Sequence, residues 1–287
     1  MRRLLPLFLA SAVCLRADPP RPADFGDGWK LEADTRLSSG TGDLGRKESS
    51  SSARIEAMSH LTNVGDWRLS LTGSAAAEAH DWKGAALPAP YEFVRELDLG
   101  VAAARRPGPQ GGPSRFLALE LGTRTADSIP IEKDLAVSFV GGSSWKLSET
   151  FDLGFLVIAE TRRVENDLFL VVPTFRWAFA PDWSLATGRK ALVLGHKLSP
   201  NSQASFSIGY LGEETRVEPV GGAAARVLDE RLVAAVGYAW EWKGWQIGAR
   251  LGWELDSELS FRVDGEPETK VDPGQGIHLG LSARIRM

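Results

Sequence analysis

The chain has 287 residues, 43% of them hydrophobic and 24% charged, with a formal net charge of −4 and a mean hydropathy of −0.14. Beyond the N-terminus no apolar run reaches 18 residues, which excludes a bundle of transmembrane helices, since each would need about 20 predominantly apolar residues to cross the hydrocarbon. Ten Trp, twelve Phe and 30 Gly against three Met form a β-type composition, and an acidic balance without a Lys/Arg run excludes the basic footprint that nucleic-acid binding needs.

Residues 1–17 read as a secretory signal peptide. Met1-Arg2-Arg3 is a basic start, Leu4 to Val13 an apolar stretch too short to span, and Leu15-Arg16-Ala17 a cleavage site. Its removal takes three of the 33 basic residues and none of the 37 acidic ones, leaving a mature charge of −7. The one cysteine, Cys14, goes with it, so the mature chain has neither a disulfide nor a Cys-based metal or nucleophile site. Residues 18–28 form a short N-terminal segment, and residues 29–287 a single barrel domain.

From Trp29 onward the chain alternates. Trp29, Leu31, Ala33, Thr35 and Leu37 share one parity, while Lys30, Glu32, Asp34 and Arg36 share the other, the period-2 signature of a strand with one apolar face. Leu232 to Lys243, Trp245 to Asp256 and Ile277 to Met287 repeat the pattern, and in all four segments the apolar parity holds no charged residue. Turn-forming clusters place strands at 29–38, 50–61, 67–79, 92–104, 114–125, 134–147, 151–160, 169–180, 183–188, 191–198, 202–212, 229–242, 245–260 and 275–287. Many exceed the five or six residues usual in soluble proteins and match the 9 to 11 that a lipid-crossing strand needs.

Connection lengths alternate too. Asn63 to Asp66, Ser148 to Thr150, Pro181-Asp182, Ser199 to Asn201 and Lys243-Gly244 are tight, with the Pro/Gly-rich stretch Arg105 to Pro113 as the exception among them. Ser39 to Ser49, His80 to Tyr91, Ala126 to Lys133, Thr161 to Leu168, Glu213 to Leu228 and Arg262 to Gly274 are longer and polar. Trp67, Trp183, Trp240, Trp242 and Trp245 cluster beside the tight turns, as an interfacial girdle does. The expected fold is all-β: a transmembrane-type antiparallel up-and-down β-barrel of 12–14 strands, short turns on one rim and long loops on the other. Strands 183–188 and 191–198 are the weak point, being too short to cross fully.

The apolar positions counted back from Met287 (Ile285, Ala283, Leu281, Leu279) resemble the C-terminal strand that barrel-insertion machinery reads in bacterial outer-membrane proteins, although Met287 replaces the usual aromatic. The stretch Leu168 to Gly212, with Pro173-Thr174-Phe175-Arg176-Trp177, Asp182-Trp183-Ser184-Leu185 and Ser205-Phe206-Ser207-Ile208-Gly209-Tyr210, resembles a bacterial family of outer-membrane-type barrels known only as a domain of unknown function. Asp229-Glu230-Arg231-Leu232 and Gly280 to Ile285 extend the likeness. The resemblance implies a barrel in the cell outer membrane of a Gram-negative bacterium, in contact with its lipid, and supplies no catalytic residues.

The residues themselves offer no enzyme. His60, His80, His196 and His278 stand in no metal-ligand spacing, no Gly-x-Ser-x-Gly elbow occurs, and His278 and Ser282 on one strand face lie about 13 Å apart. Neither a cofactor nor a metal is expected. Glu120, Arg124, Arg176, Glu241, Arg250, Glu254, His278, Arg284 and Arg286 fall on the polar parity and are the lumen-lining candidates. They would either select solutes by charge in an open pore or pair to fill a closed lumen. Arg284 and Arg286 beside Arg250 point to positive charge near one rim and a preference for anions. The expected role is structural or a passive pore for small solutes. The alternative is a surface-loop binding or adhesion protein using Glu213 to Leu228 and Arg262 to Gly274, and a membrane-embedded hydrolase has no motif behind it.

Overall fold

The computed structural model describes residues 28–38, 47–83, 91–105, 107, 112–126, 135–161, 168–188, 190–220, 223–263 and 266–286. The proposed leader and Arg262 to Gly274 at residues 264–265 lie wholly or partly outside them. Alternating apolar and polar residues give strands throughout: β1 (Gly28–Ser38), β2 (Lys47–Val64), β3 (Trp67–Lys83), β4 (Phe93–Arg105), β5 (Ser114–Ala126), β6 (Ala136–Lys146), β7 (Phe151–Glu160) and β8 (Leu168–Ala180). They continue as β9 (Trp183–Thr187), β10 (Ala191–Ser199), β11 (Ser202–Val220), β12 (Ala223–Trp242), β13 (Trp245–Val263), β14 (Thr269–Val271) and β15 (Gly276–Arg286).

Each strand pairs antiparallel with its sequence neighbour, and β15 closes the ring by pairing with both β13 and β1. Leu259 opposes Val271 and Trp253 opposes Ile277, so β14 and β15 continue one register along β13 as a single return strand. Among the described residues the ring therefore has 14 strands, each with a partner on both sides.

The outer face is apolar. Leu31, Leu99, Val101, Leu119, Phe169, Ile247 and Leu281 all point outward and are exposed, as lipid-facing positions must be. Trp29, Trp145, Trp177, Trp183, Trp242 and Trp245 stand near the short turns at 39–51% exposure, a belt at one membrane interface. The tight turns Gly65-Asp66, Pro181-Asp182 and Lys243-Gly244 define the turn rim, and positive φ at Gly65, Lys243 and Gly244 makes the two-residue hairpins.

The short pair stays short: β9 has five residues and β10 nine. Pro173 sits on β8 opposite Phe155, above the last β8–β9 pair at Arg176–Ala186, where a missing N–H costs no bond on that side. Thr187 Oγ1 accepts the Phe175 N–H there at 2.8 Å.

Glu213 to Leu228 is a correction to the sequence reading. It is a hairpin rather than a loop, laddered from Glu213–Asp229 to Val217–Ala225. Charges occur on both parities here because the strands rise past the bilayer, where both faces accept polar groups. On the outer side Tyr210 bonds Glu230 and Arg226 meets Glu214 at 3.2 Å.

The ring is not round near the loops. Thr125 of β5 pairs in parallel with Arg216 of β11, two strands that are not neighbours around the barrel. This is possible because β6 pairs with β5 only as far as Gly122. The tall strands β11–β13, β14/β15 and β1–β5 thus close on themselves above β6–β10.

Candidate functional site

The loop-rim half of the interior holds two charge networks. In the first, Arg36 of β1 binds Glu254 of β13 through both arms of its guanidinium, Nε to Oε1 at 2.6 Å and Nη2 to Oε2 at 2.8 Å. The side chains are 1% and 0% exposed. Arg36 Nη2 also donates to the carbonyl of Gly274 at 3.0 Å. His278 of β15 stands between Glu254 Oε1, 2.8 Å from Nε2, and Asp34 Oδ1, 3.3 Å from Nδ1. Arg231 of β12 approaches Glu254 at 3.5 Å and donates to Asp229, while Arg250 donates to Asp34 at 2.9 Å.

The second network joins Arg54 of β2 to Glu96 of β4 by two bonds of 2.8 and 2.6 Å. Arg124 of β5 donates to Glu96 at 3.0 Å, to Glu78 of β3 at 2.9 Å and to Thr215 of β11 at 3.0 Å, and pairs with Glu213. Ser74 donates to Asp98. The Arg124 bonds reach from β5 to β11 and so tie the pinch together. Such charges are tolerated in a dry interior only when every one has partners, and here each named guanidinium has at least one carboxylate.

Glycines on the inward parity make room for these head groups. A Cβ on Gly276 would lie 2.8 Å from Glu254 Oε2 and 2.9 Å from Arg36 Nε. Above the networks, Tyr91, Val94, Ala126, Val217, Ala225, Val227 and Leu259 form a buried apolar cap. A third inward patch is also apolar: Ala102, Ala104, Phe116, Val140, Leu156 and Ile158 pack together, with Met58 of β2 against them.

That patch lies toward the turn rim, where Ala104 opposes Phe116 one pair from the end of the β4–β5 ladder, but on the β8–β13 side of the same rim the interior is polar. A cavity of about 240 Å³ opens there, lined by Arg176, Lys197, Gln203, Glu241 and Gln246 among others, with Arg176, Lys197 and Glu241 exposed.

The residues singled out from sequence therefore separate. Arg124, Arg250, Glu254 and His278 lie in the networks. Arg176 and Glu241 line the turn-rim cavity. Glu120 lies opposite Gly100 and Ser138 on the wall, and Arg284 opposite Lys30 and Gln246 near the end of β15. Arg286 pairs through its backbone with Gly28, and its side chain lies outside the described residues. Sequence reasoning passed over Asp34, Arg36, Arg54, Glu78, Glu96, Asp98, Glu213, Asp229 and Arg231. The available signal was inward-parity glycine across from them, as with Gly276 and Gly280 on the parity of His278. Among the described residues, no group of three or more His, Cys, Asp and Glu is placed to hold a metal ion.

A closed antiparallel ring, apolar outside and charged within, is a transmembrane β-barrel of the outer-membrane type. In fold the chain is similar to an outer membrane channel of Pseudomonas putida F1, at 12% identity and a TM-score of 0.50, covering 96% of this chain and 100% of that one. More distant likenesses are a mutant of the monoaromatic hydrocarbon channel TodX, 10% identical with a TM-score of 0.46 over 93% of each chain, and the KdgM porin, 6% identical with a TM-score of 0.38 over 90% of this chain and 99% of that one. No family model matches the sequence, so the likeness to a particular family of unknown function gains no support there. No curated protein matches it either.

Proposed function

We propose that the protein is a passive pore of the bacterial outer membrane for small polar solutes, exported by residues 1–17 and inserted through its C-terminal strand β15. The observation that carries this reading is the combination of an apolar membrane-facing belt with a polar cavity in the turn-rim half of the interior. The aromatic belt supports contact with outer-membrane lipid, and the tight turns on the same rim support its facing the periplasm. The barrel patterning of Leu168 to Gly212 keeps membership of the resembled family of unknown function within this reading.

Arg176 and Lys197 make no ion pair among the described residues, whereas Arg250 is paired with Asp34. An anion preference in this reading rests on Arg176 and Lys197, set against Asp182 and Glu241 of the same cavity, rather than on Arg250. Planar-bilayer recording of the purified barrel tests the proposal: discrete conductance steps with a reversal potential on the anion side are expected. Folded, heat-modifiable protein that inserts and conducts nothing would refute it.

A further inference from the structure

The return strand is interrupted at the height of the Arg36–Glu254 pair. β14 and β15 hold one register on β13, yet residues 272–275 between them carry no ladder. Pro273 offers no N–H, and β13 itself shifts register against β12 at the same height, between Leu232 and Val233. Side chains take over the hold. Arg36 Nη2 and Ser257 Oγ both donate to the Gly274 carbonyl, at 3.0 and 3.1 Å. Gln275 Nε2 donates to the Leu255 carbonyl at 3.5 Å, and the Gly274 N–H donates to Asp272 Oδ1 at 2.7 Å. Gly274 adopts φ +81°, the left-handed region that glycine enters without steric cost.

This segment contributes to what fills the lumen. Pro273 is fully buried, and so are Val271 and Leu259, which oppose each other on β14 and β13. Every other contributor to the networks sits on a long strand that cannot move without breaking the wall. Residues 272–275 can: the ladder above them has three pairs, all to β13 among the described residues.

We propose that residues 271–275 are a strap latched by Arg36, and that its release opens the loop-rim half of the lumen to solutes; the solute step rests on the pore reading above. Arg36 is the latch because one guanidinium holds both Glu254 and the strap carbonyl. Without it, Glu254 keeps Arg231 and His278, so the fold survives while the strap loses its tie to the buried ion pair.

The test uses the exported barrel, whose expected mature chain carries no cysteine of its own. Pro273→Cys reports strap exposure through a membrane-impermeant maleimide on whole cells, and the labelling rate should rise at least tenfold when Arg36→Gln is added. Leu255→Cys with Gln275→Cys, opposite in register and both exposed on the outer face, allows a disulfide to close the seam without touching the latch. In planar bilayers the open fraction of Arg36→Gln should exceed that of the unaltered barrel at least threefold, and oxidation of the cysteine pair should return it. Ser257→Ala, which removes the other bond to Gly274, should act in the same direction more weakly and serves if Arg36→Gln fails to fold. Equal labelling rates, or a conductance indifferent to the disulfide, would overturn the strap. Faster labelling without conductance in any variant would instead overturn the pore reading and leave the strap standing.

Discussion

Glu254 meets three cationic or imidazole side chains from three strands, Arg36, Arg231 and His278, at zero side-chain exposure. Removing one member of such a buried set strands the others, at a cost of about 3–5 kcal/mol, whereas replacing a pair with apolar residues of like volume is close to neutral. Glu254→Ala should therefore lower unfolding stability by about 3–5 kcal/mol in urea titrations of the reconstituted barrel, and Arg36→Met with Glu254→Leu should recover most of the loss. Gly276→Ala tests the same packing from the backbone side, because its Cβ would press on both head groups. A loss of about 1–3 kcal/mol is expected from such overpacking, and an unchanged unfolding midpoint would show that the pair is not locked in place.

At the scale of the strand, the two faces obey different rules. Leu119 and Glu120 are neighbours at the middle of β5, one outward and exposed, the other inward. Leu119→Arg should destabilise the barrel in bilayers by about 2–4 kcal/mol, the cost of a cation on the lipid face near the midplane. Glu120→Gln should change stability by less than about 0.5 kcal/mol. Equal effects would mean that the parity assigned to β5 is wrong. Parity was also what made the strands legible in the sequence: the strand starts after the turn rim at Trp67, Ser114, Phe151, Trp183, Ser202 and Trp245, and that of the short β10 at Ala191, follow from period-2 patterning and turn residues. It failed where strands leave the bilayer. Glu213 to Leu228 carries charge on both faces and looks like a loop, yet ladders as β11 and β12, since out of the membrane the backbone pairing persists after the reason for alternation has ended.

The interior was less legible than the wall. A period-2 pattern tells which side chains point inward and nothing about which strands face each other, so the Arg124 contacts with Thr215 and Glu213 depend on the β5–β11 pinch, a contact of sequence separation too large for local pattern to reveal. The same limit hid Arg36, visible from the sequence only as one more polar-parity residue of β1. For the whole molecule, this arrangement packs buried charge pairs into the loop-rim half of the interior and leaves a polar cavity at the turn rim. Charge reversal at that cavity, Arg176→Glu with Lys197→Glu, should move the reversal potential in a salt gradient from the anion side toward the cation side, with stability little changed because both side chains are exposed. A reversal potential unmoved by both substitutions would place the selective region elsewhere.

In the pore reading, the barrel conducts small solutes through a lumen narrowed by its own charge networks. Single-channel recording of the purified, heat-modifiable barrel in planar bilayers tests it most directly. Small, discrete and anion-favouring conductance steps are the predicted result. Stable insertion with no conductance at any applied potential would contradict it.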